Sequence, residues 1–596
     1  MKSSILTDRT TNGHTSRNSS VGGDDVNEDL VTRFGRQVRD DPSRPALIEV
    51  SHRDGRAATG TATYGELHDG ARAIAGWLRA HAVPGDRVLL LYPSSIDFAK
   101  AFWGCLYAGC VPVPAPLPGT FGHHLSLTTG IALDAGPRLV LTDTEHLDGV
   151  ADWLIQDRLN ELALFATDLV DLSRVQAAGP IEVHGSSPAF VQYTSTGTDL
   201  AGHSISHAGL ARDIEMLDNT LDLAAHGTIG GWLPMHHNLG LVGLLLAPLA
   251  VGATSVLMSP TEFLKHPQRW LQLIDTFDIR LTAAPNFAYD HCVRRISAEV
   301  ASIFDLSRLR TAVNGPEPVS AATLTAFAER FAPSGLNPRA LTPAYGPADG
   351  ARLITVSPPG DRIDGPLVTP ADRWALERDT LQPAAGGLDL VSCGPVEGTG
   401  LQVFNSATQT ELLDGLVGEI WLDGYAPTGD LGVIHGGQLY RTGRVNDRLA
   451  IDGRSLYAHD IEQELSQLEP AFADLPGCVC AVDVPREELV VLQEVPARTS
   501  NGDLTALATA VRDALRDRYR VRVANVVFLR PGQIHRVAGR VQRTLMRELF
   551  RSDALAPVYE VLGRQTRQRF RFTEPLPAPA VPARRRNAAV PAVAAQ

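Results

Sequence analysis

The sequence predicts an α/β protein: a large N-terminal domain of doubly wound α/β layers with a small β subdomain, followed by a small α+β C-terminal domain. Three observations predict it. Helically spaced apolar positions alternate with short, wholly apolar runs closed by Gly/Pro turns, the pattern of parallel strands buried on both faces. From about Gly394 the runs shorten and alternate with polar residues, as in a small half-exposed sheet. After Arg444, helix-length and strand-length segments mix again in a compact stretch.

Taken in order, residues 1–28 are rich in Ser, Thr, Gly and Asp and read as a disordered tail. The N-terminal domain is expected over 29–443. Leu67, Ala71, Ile74, Ala75 and Leu78 share one helix face, Pro84-Gly85-Asp86 turns the chain, and 87–91 is an apolar strand. The same rhythm returns at 138–141 and 279–282. Residues 239–258 carry no charge over about the length of a membrane span. Gly240, Gly243, Pro248 and Gly252 interrupt them, so they read as a buried helix turning into a core strand, and no transmembrane segment is expected. The β subdomain falls at about 394–441, with strands near 419–422 and 438–440. The C-terminal domain, 444–572, holds helices at 458–468 and 504–519, and the Pro/Ala-rich end 573–596, with Arg584-Arg585-Arg586, reads as a loose tail.

Composition sets limits. A chain of 596 residues, 44% hydrophobic and 20% charged, buries more than one core. A net charge of −13 argues against nucleic-acid binding, which needs concentrated cations. The only lysines are Lys2, Lys100 and Lys265; nearly all positive charge is arginine. The cysteines Cys105, Cys110, Cys292, Cys393, Cys478 and Cys480 show neither C-x-x-C pairing nor zinc spacing and read as buried reduced thiols. No apolar leader precedes the first domain, and a cytoplasmic setting is the expectation.

A row of polar motifs runs through this frame. Tyr193-Thr194-Ser195-Thr196-Gly197-Thr198 follows apolar Ala189-Phe190-Val191 and reads as a phosphate loop, since hydroxyls and backbone N–H groups at a turn can surround a polyphosphate. A plain solvated turn is the commoner meaning of such a run. Then come Leu233-Pro234-Met235-His236-His237-Asn238-Leu239-Gly240, Pro285-Asn286-Phe287-Ala288-Tyr289, and Asn314-Gly315-Pro316-Glu317-Pro318. Tyr345-Gly346-Pro347-Ala348-Asp349, Thr428-Gly429-Asp430, Gly443-Arg444-Val445-Asn446-Asp447 and Gly539-Arg540-Val541-Gln542-Arg543 complete the row.

Together these motifs resemble the adenylate-forming superfamily, from about Leu30 to about Phe550. Three stretches resemble its fatty acyl-AMP ligase branch. They are Gly104-Cys105-Leu106-Tyr107-Ala108-Gly109 with Val111-Pro112-Val113-Pro114, then Asn286-Phe287-Ala288-Tyr289-Asp290 with Cys292-Val293-Arg294-Arg295, and a segment at 358–393 where that branch carries an insertion. The resemblance implies a C-terminal domain that is mobile, ATP and Mg²⁺ as cofactors, a fatty or related carboxylic acid as substrate, and an acyl carrier protein rather than coenzyme A as acceptor.

It also implies roles for residues. Thr194, Ser195, Thr196, Gly197 and Thr198 would hold the β- and γ-phosphates, and Asp349 stands where the family has a magnesium-binding glutamate. Tyr345, Gly346 and Asn314-Gly315 would flank the adenine, and Asp430 would accept both ribose hydroxyls. Arg444 maps to a ribose and phosphate contact, Asp447 to the hinge of the C-terminal domain, and His237 to a position near the substrate carboxylate. Phe287, Tyr289 and Leu241 are candidates to line an acyl tunnel, with core packing as the equal alternative.

Two departures stand out. Only 422–427 bridge Trp421 and Thr428, where the family carries several dozen residues. Arg540 replaces the lysine that swings in to bridge carboxylate and nucleotide, and no lysine follows Lys265 to substitute for it. A degenerate relative that binds nucleotide or acyl ligand as a partner or regulatory subunit, or that retains one half-reaction, is therefore the alternative to an active acyl-AMP ligase.

Overall fold

A computed structural model describes residues 28–53, 56–119, 122–169, 176–196, 199–347, 353–357, 365–423, 426–451, 454–472, 475–484, 486–537 and 540–571. Apart from Glu28, both expected tails lie outside the described residues. An eight-stranded sheet forms the centre of the N-terminal domain. Its parallel strands are, in spatial order, Leu341–Tyr345, Thr311–Asn314, Leu281–Ala284, Thr228–Gly231, Thr254–Met258 and Pro45–Arg53. Antiparallel strands Thr355–Val356 and Arg56–Thr63 close its two edges. The wholly apolar runs lie in its interior, where Leu281–Ala284 and Thr311–Asn314 are buried at every position.

A second, fully parallel sheet joins Val111–Pro114, Arg87–Leu90, Leu139–Thr142 and Ala163–Ala166. Helix Tyr64–His81 packs beside it because Thr63 and Glu66 form a reciprocal capping box that fixes its first turn. Leu67, Ala71, Ile74, Ala75 and Leu78 are buried, as their spacing predicts. Helix Ile96–Ala108 lies against them so closely that a Cβ on Gly104 would stand 2.6 Å from Ile74 Cγ2. The uncharged stretch 239–258 becomes the π-helical turns Leu239–Leu246, helix Ala247–Val251 and the core strand Thr254–Met258. Among the described residues no helix is long and apolar enough to cross a membrane.

The β subdomain is a seven-stranded antiparallel sheet whose strands run from Val368–Ala371 to Gln438–Arg444. It takes in Val368–Ala371 and Leu388–Pro395, ahead of the start expected near Gly394, because Ala371, Val391 and Cys393 are buried. In the C-terminal domain, Gly477–Asp483, Glu487–Glu494, Asn525–Leu529 and Tyr559–Val561 make a four-stranded sheet. Alternate residues serve opposite faces. Val479, Leu489, Val491 and Phe528 meet helices Ala458–Leu468 and Asn501–Tyr519, while Cys478, Val490, Leu492 and Val527 meet helix Arg543–Arg551. The second of those helices starts at Asn501 rather than 504 because Ser500 caps it.

The two domains are held together through residues 373–379, part of the segment read as the branch insertion. Glu377 Oε2 accepts from Arg454 Nε at 2.7 Å, and its carbonyl accepts Ser455 N–H. Arg448 Nη2 donates to Asp379 at 2.6 Å. Trp374 lies under the guanidiniums of Arg454 and Arg520, at 5.0 and 4.6 Å, and Arg373 covers the Tyr519 ring. Glu377 is only 6% exposed, so neutralising it takes from the partly buried Arg454 the carboxylate it is paired with and leaves it the Tyr519 carbonyl and the Trp374 ring. Glu377→Gln is expected to weaken domain docking by about 3 kcal/mol. Calorimetry should then show a separate, earlier C-terminal transition, and limited proteolysis should cut at 445–453; one unchanged transition would refute this role.

Candidate active site

The site builds from the carboxyl ends of the parallel strands, where open α/β sheets place ligands. Strand Thr311–Asn314 ends at Asn314, which is fully buried. Its Nδ2 donates to Asn286 Oδ1 at 3.2 Å, and its own Oδ1 has no hydrogen-bond partner. Gly315 follows, where a Cβ would lie 2.6 Å from the Ala344 carbonyl oxygen, so the turn admits glycine alone. The adjacent strand pairs Asn314 with Pro343 and ends at Tyr345, also fully buried. Burial and the Asp430 carboxylate push the Tyr345 phenol far above its ordinary range and keep it a neutral donor.

The β subdomain supplies the other wall. Asp430, on strand Ala426–His435, is 2% exposed and accepts from Tyr345 OH at 3.2 Å on Oδ2. On Oδ1 it accepts from Arg441 Nη2 at 2.7 Å and from Arg444 Nε at 3.1 Å. Arg441 Nη1 donates to the Pro316 carbonyl at 2.8 Å, joining the subdomain to the Gly315 turn. Thr428 Oγ1 donates to Ile420 O and accepts Asp430 N–H, which fixes the strand just before the carboxylate. Asn314, Gly315, Tyr345, Asp430 and Arg444 thus converge, with Gly346 directly after Tyr345. Arg441 was not among the expected residues; the signal was a charge directly after apolar Leu439-Tyr440.

The phosphate loop is shaped differently from the expectation. Thr194, Ser195 and Thr196 are not in a loop: they extend strand Pro188–Thr196 and pair with Ala201, Leu200 and Asp199 of strand Asp199–Ser206. Gly197 and Thr198, the connection itself, lie outside the described residues, as does Asp349. Thr194 Oγ1 and His203 Nε2 share a hydrogen bond at 2.9 Å. The hairpin meets the His236-His237 turn through Gln192 Nε2, which donates to His236 O at 3.4 Å. His237 is exposed, so it is not a core histidine.

The acyl-tunnel candidates separate. Tyr289 is a core residue: it is fully buried, donates to Val313 O at 2.8 Å, and packs edge-on against Trp270 and Phe327. Leu241 is likewise buried in the main core. Phe287 is partly exposed and packs against Trp232. Among the described residues no group of three or more His, Cys, Asp or Glu could hold a metal, and all six cysteines are buried and free.

Asp447, the expected hinge, sits in the short turn Val445–Asp447. Its carboxylate meets Arg543 Nη1 at 2.9 Å, and Arg543 also forks onto Glu462 at 3.0 and 2.5 Å. Arg543 lies three residues beyond Arg540, whose backbone forms the small hairpin of Arg536–Val537 with Arg540–Val541. Asp447 is therefore bound to the helix that follows the Arg540 hairpin.

Residues 34–429 match the AMP-binding enzyme family. A 4-hydroxyphenylalkanoate adenylyltransferase of Mycobacterium tuberculosis is 30% identical over 585 aligned residues, covering 89% of this chain and 93% of its own. A medium-chain-fatty-acid–[acyl-carrier-protein] ligase of Moorena producens is 30% identical, covering 84% of this chain and 92% of its own. The crystal structure of a fatty acyl-adenylate ligase from Legionella pneumophila, in complex with acyl adenylate and pyrophosphate, superposes with a TM-score of 0.66 at 27% identity, over 90% of this chain and 98% of that one.

The surroundings of Asp447 carry a pH signature. Burial, then the guanidiniums of Arg543 and Arg441, pushes His459 from an ordinary 6.5 down to about 4. A base whose folded pKa is depressed gives stability that is whole above its unfolded pKa and is lost as pH falls through the folded one. The window is therefore about pH 6.5 down to 4. Over it the His459 contribution of about 1–3 kcal/mol is expected to be lost in the parent and absent in His459→Gln, while Asp460, raised by burial to about 7, works in the opposite sense in both proteins, so the difference between them is the readout. Urea unfolding at neutral pH and near pH 4.5 measures both; equal losses in parent and variant would exclude His459 as the cause.

Proposed function

The chain belongs to the AMP-binding enzyme family, in its fatty acyl-AMP ligase branch, and from this we propose that it activates a fatty or related carboxylic acid with ATP and passes the acyl group to an acyl carrier protein. The observation that carries the proposal is the nucleoside seat built by Asn314, Gly315, Tyr345 and Asp430. The buried acceptor Asn314 Oδ1 suits an exocyclic amine, the glycine turn leaves room for a flat base, and a fixed carboxylate suits a vicinal diol. The acceptor preference follows the Moorena relative, whose name specifies a carrier protein. Coenzyme A is not the expected acceptor.

In this reading the substrate carboxylate attacks the α-phosphorus of ATP, the acyl-phosphate bond forms, and pyrophosphate leaves with the electron pair. Two anions approach each other, so fixed donors must offset their repulsion. Arg444 and Arg540 supply positive charge, the hairpin tip with Thr194, Ser195, Thr196, Gly197 and Thr198 holds the β- and γ-phosphates, and His237 faces the carboxylate. Asp349 is the magnesium ligand of this reading. Asp349 would hold the ion together with phosphate oxygens of the nucleotide and water, the usual manner of binding magnesium with nucleotides. When bound, magnesium neutralises charge developing on the leaving pyrophosphate. Asp447 is the hinge, and Phe287 is the acyl-pocket residue we retain. Consumption of ATP fits a cytoplasmic site of action.

Arg540 favours a second reading, a homologue that binds nucleotide without efficient adenylation. A guanidinium is planar and wider than an ammonium, and losing one transition-state contact commonly costs roughly two to three orders of magnitude in rate. Mass spectrometry of acyl-AMP, with ATP, Mg²⁺ and fatty acids of graded length, decides between them. The parent protein is expected to form acyl-AMP, and Arg540→Ala to lower the rate roughly 100-fold or more. Acyl-AMP from Arg540→Lys alone would establish the second reading, and none from either would remove the proposed activity. Transfer to coenzyme A as fast as to a carrier protein would overturn the acceptor assignment.

A further inference from the structure

Arg441 and Arg444 are three residues apart on one strand, and in a regular strand an odd separation sends side chains to opposite faces. Here both reach the same oxygen of Asp430. The pairing explains how. Asp430 faces Arg444 and Leu431 faces Gly443, but Gly432 faces Arg441, so Thr442 is an extra residue in a β-bulge. The bulge turns Arg441 onto the carboxylate, a re-aiming that bulges beside active sites often perform.

The two arginines are not equivalent. The Arg441 side chain is 6% exposed and held at both ends of its fork, by Asp430 and by the Pro316 carbonyl. Its Nε is buried with no hydrogen-bond partner, so it has no water to retreat into. Moving it would strand a buried charge and break the link to the Gly315 turn. Arg444 touches Asp430 through Nε alone, at the longer distance of 3.1 Å, and is 22% exposed. It can rotate away.

We propose that Arg441 is the positioning residue of the nucleoside seat. It fixes Asp430 relative to the Gly315-Pro316 turn so that the carboxylate meets the ribose diol, while Arg444 is the donor the diol displaces. Once displaced, Arg444 is free to turn toward the phosphates. The inference rests on the adenylate-forming reading above, but it concerns ribose geometry and not the chemical step. No bond is made or broken by Arg441, which touches neither acid nor phosphate.

Calorimetric titration with AMP and with 2′-deoxy-AMP tests it without requiring catalysis. The parent protein is expected to prefer AMP by about tenfold or more, the effect of one hydroxyl on a charged acceptor. Arg441→Gln should lower that preference to about twofold or less, and Arg441→Lys, which keeps the charge but can hold only one of the two partners, should lie between. If Arg441→Gln does not fold, as judged by circular dichroism, Arg441→Lys decides alone: an undiminished preference overturns the proposal. So does equal weakening of both nucleotides in Arg441→Gln with the preference intact, since that is what a purely structural arginine would do. Strong AMP binding by the parent with no preference would refute the ribose role of Asp430 and this inference, leaving the reaction class standing. Binding of neither nucleotide would overturn both the inference and the reading beneath it.

Discussion

One carboxylate constrains the architecture around it. Asp430 is 2% exposed, and a charge taken out of water must find donors within reach or lose its ionised form. Its donors come from different parts of the fold: Tyr345 from the end of a central parallel strand, and Arg441 and Arg444 from the β subdomain. The carboxylate can be buried only if sheet and subdomain meet at fixed separation. Thr428, tied to Ile420, sets that separation from within the subdomain, and the Arg441 to Pro316 bond sets it from the side of the sheet. The fixed placing of Tyr345 and Asp430 beside the Gly315 turn is therefore a consequence of how one charge is compensated.

Much of the fold is legible in the sequence because the strands are buried on both faces. Such strands must be apolar throughout and must be spaced by helices, so Leu281–Ala284 and Leu139–Thr142 lie within two residues of their expected bounds. The same logic recovers 239–258, where Gly252, at φ +85°, ends the helix just before the core strand. Where motifs name residues far apart in sequence, the structure brings two of them together: Tyr345 donates to Asp430.

What escaped has a physical reason in each case. Arg441 was hidden by the bulge at Thr442, because a period-two reading of 438–444 assigns it to the face away from Asp430. Tyr289 sits inside a motif that left ligand lining and core packing equally open, and the structure decides for the core: its hydroxyl answers the Val313 carbonyl and its ring packs between Trp270 and Phe327. Hydroxyl-rich 194–196 read as a turn because Ser, Thr and Gly favour turns, but cross-strand pairing with 199–201 overrides that local preference. The contacts of 373–379 with Arg448, Arg454 and Arg520 join residues far apart in sequence, and periodicity carries no information about them.

The scarcity of lysine gives these networks a common character. Beyond Lys265 every cationic contact with a carboxylate is made by arginine or histidine, and the planar guanidinium holds two partners at once where an ammonium would hold a single point. At Asp447 this has a consequence. Arg543 grips Glu462 through two nitrogens and Asp447 through one. Glu462 lies on helix Ala458–Leu468, packed in the same domain as Arg543, so that pair belongs to one unit. The single bond to Asp447 reaches back to the turn Val445–Asp447. Because Arg543 follows Arg540 by three residues, the hairpin bearing Arg540 can change its place only with a change at Asp447. Arg540 is thus three residues from an ion pair with Asp447, and in the proposed reading, where Asp447 is the hinge, the strength of that pair sets how readily the hairpin moves.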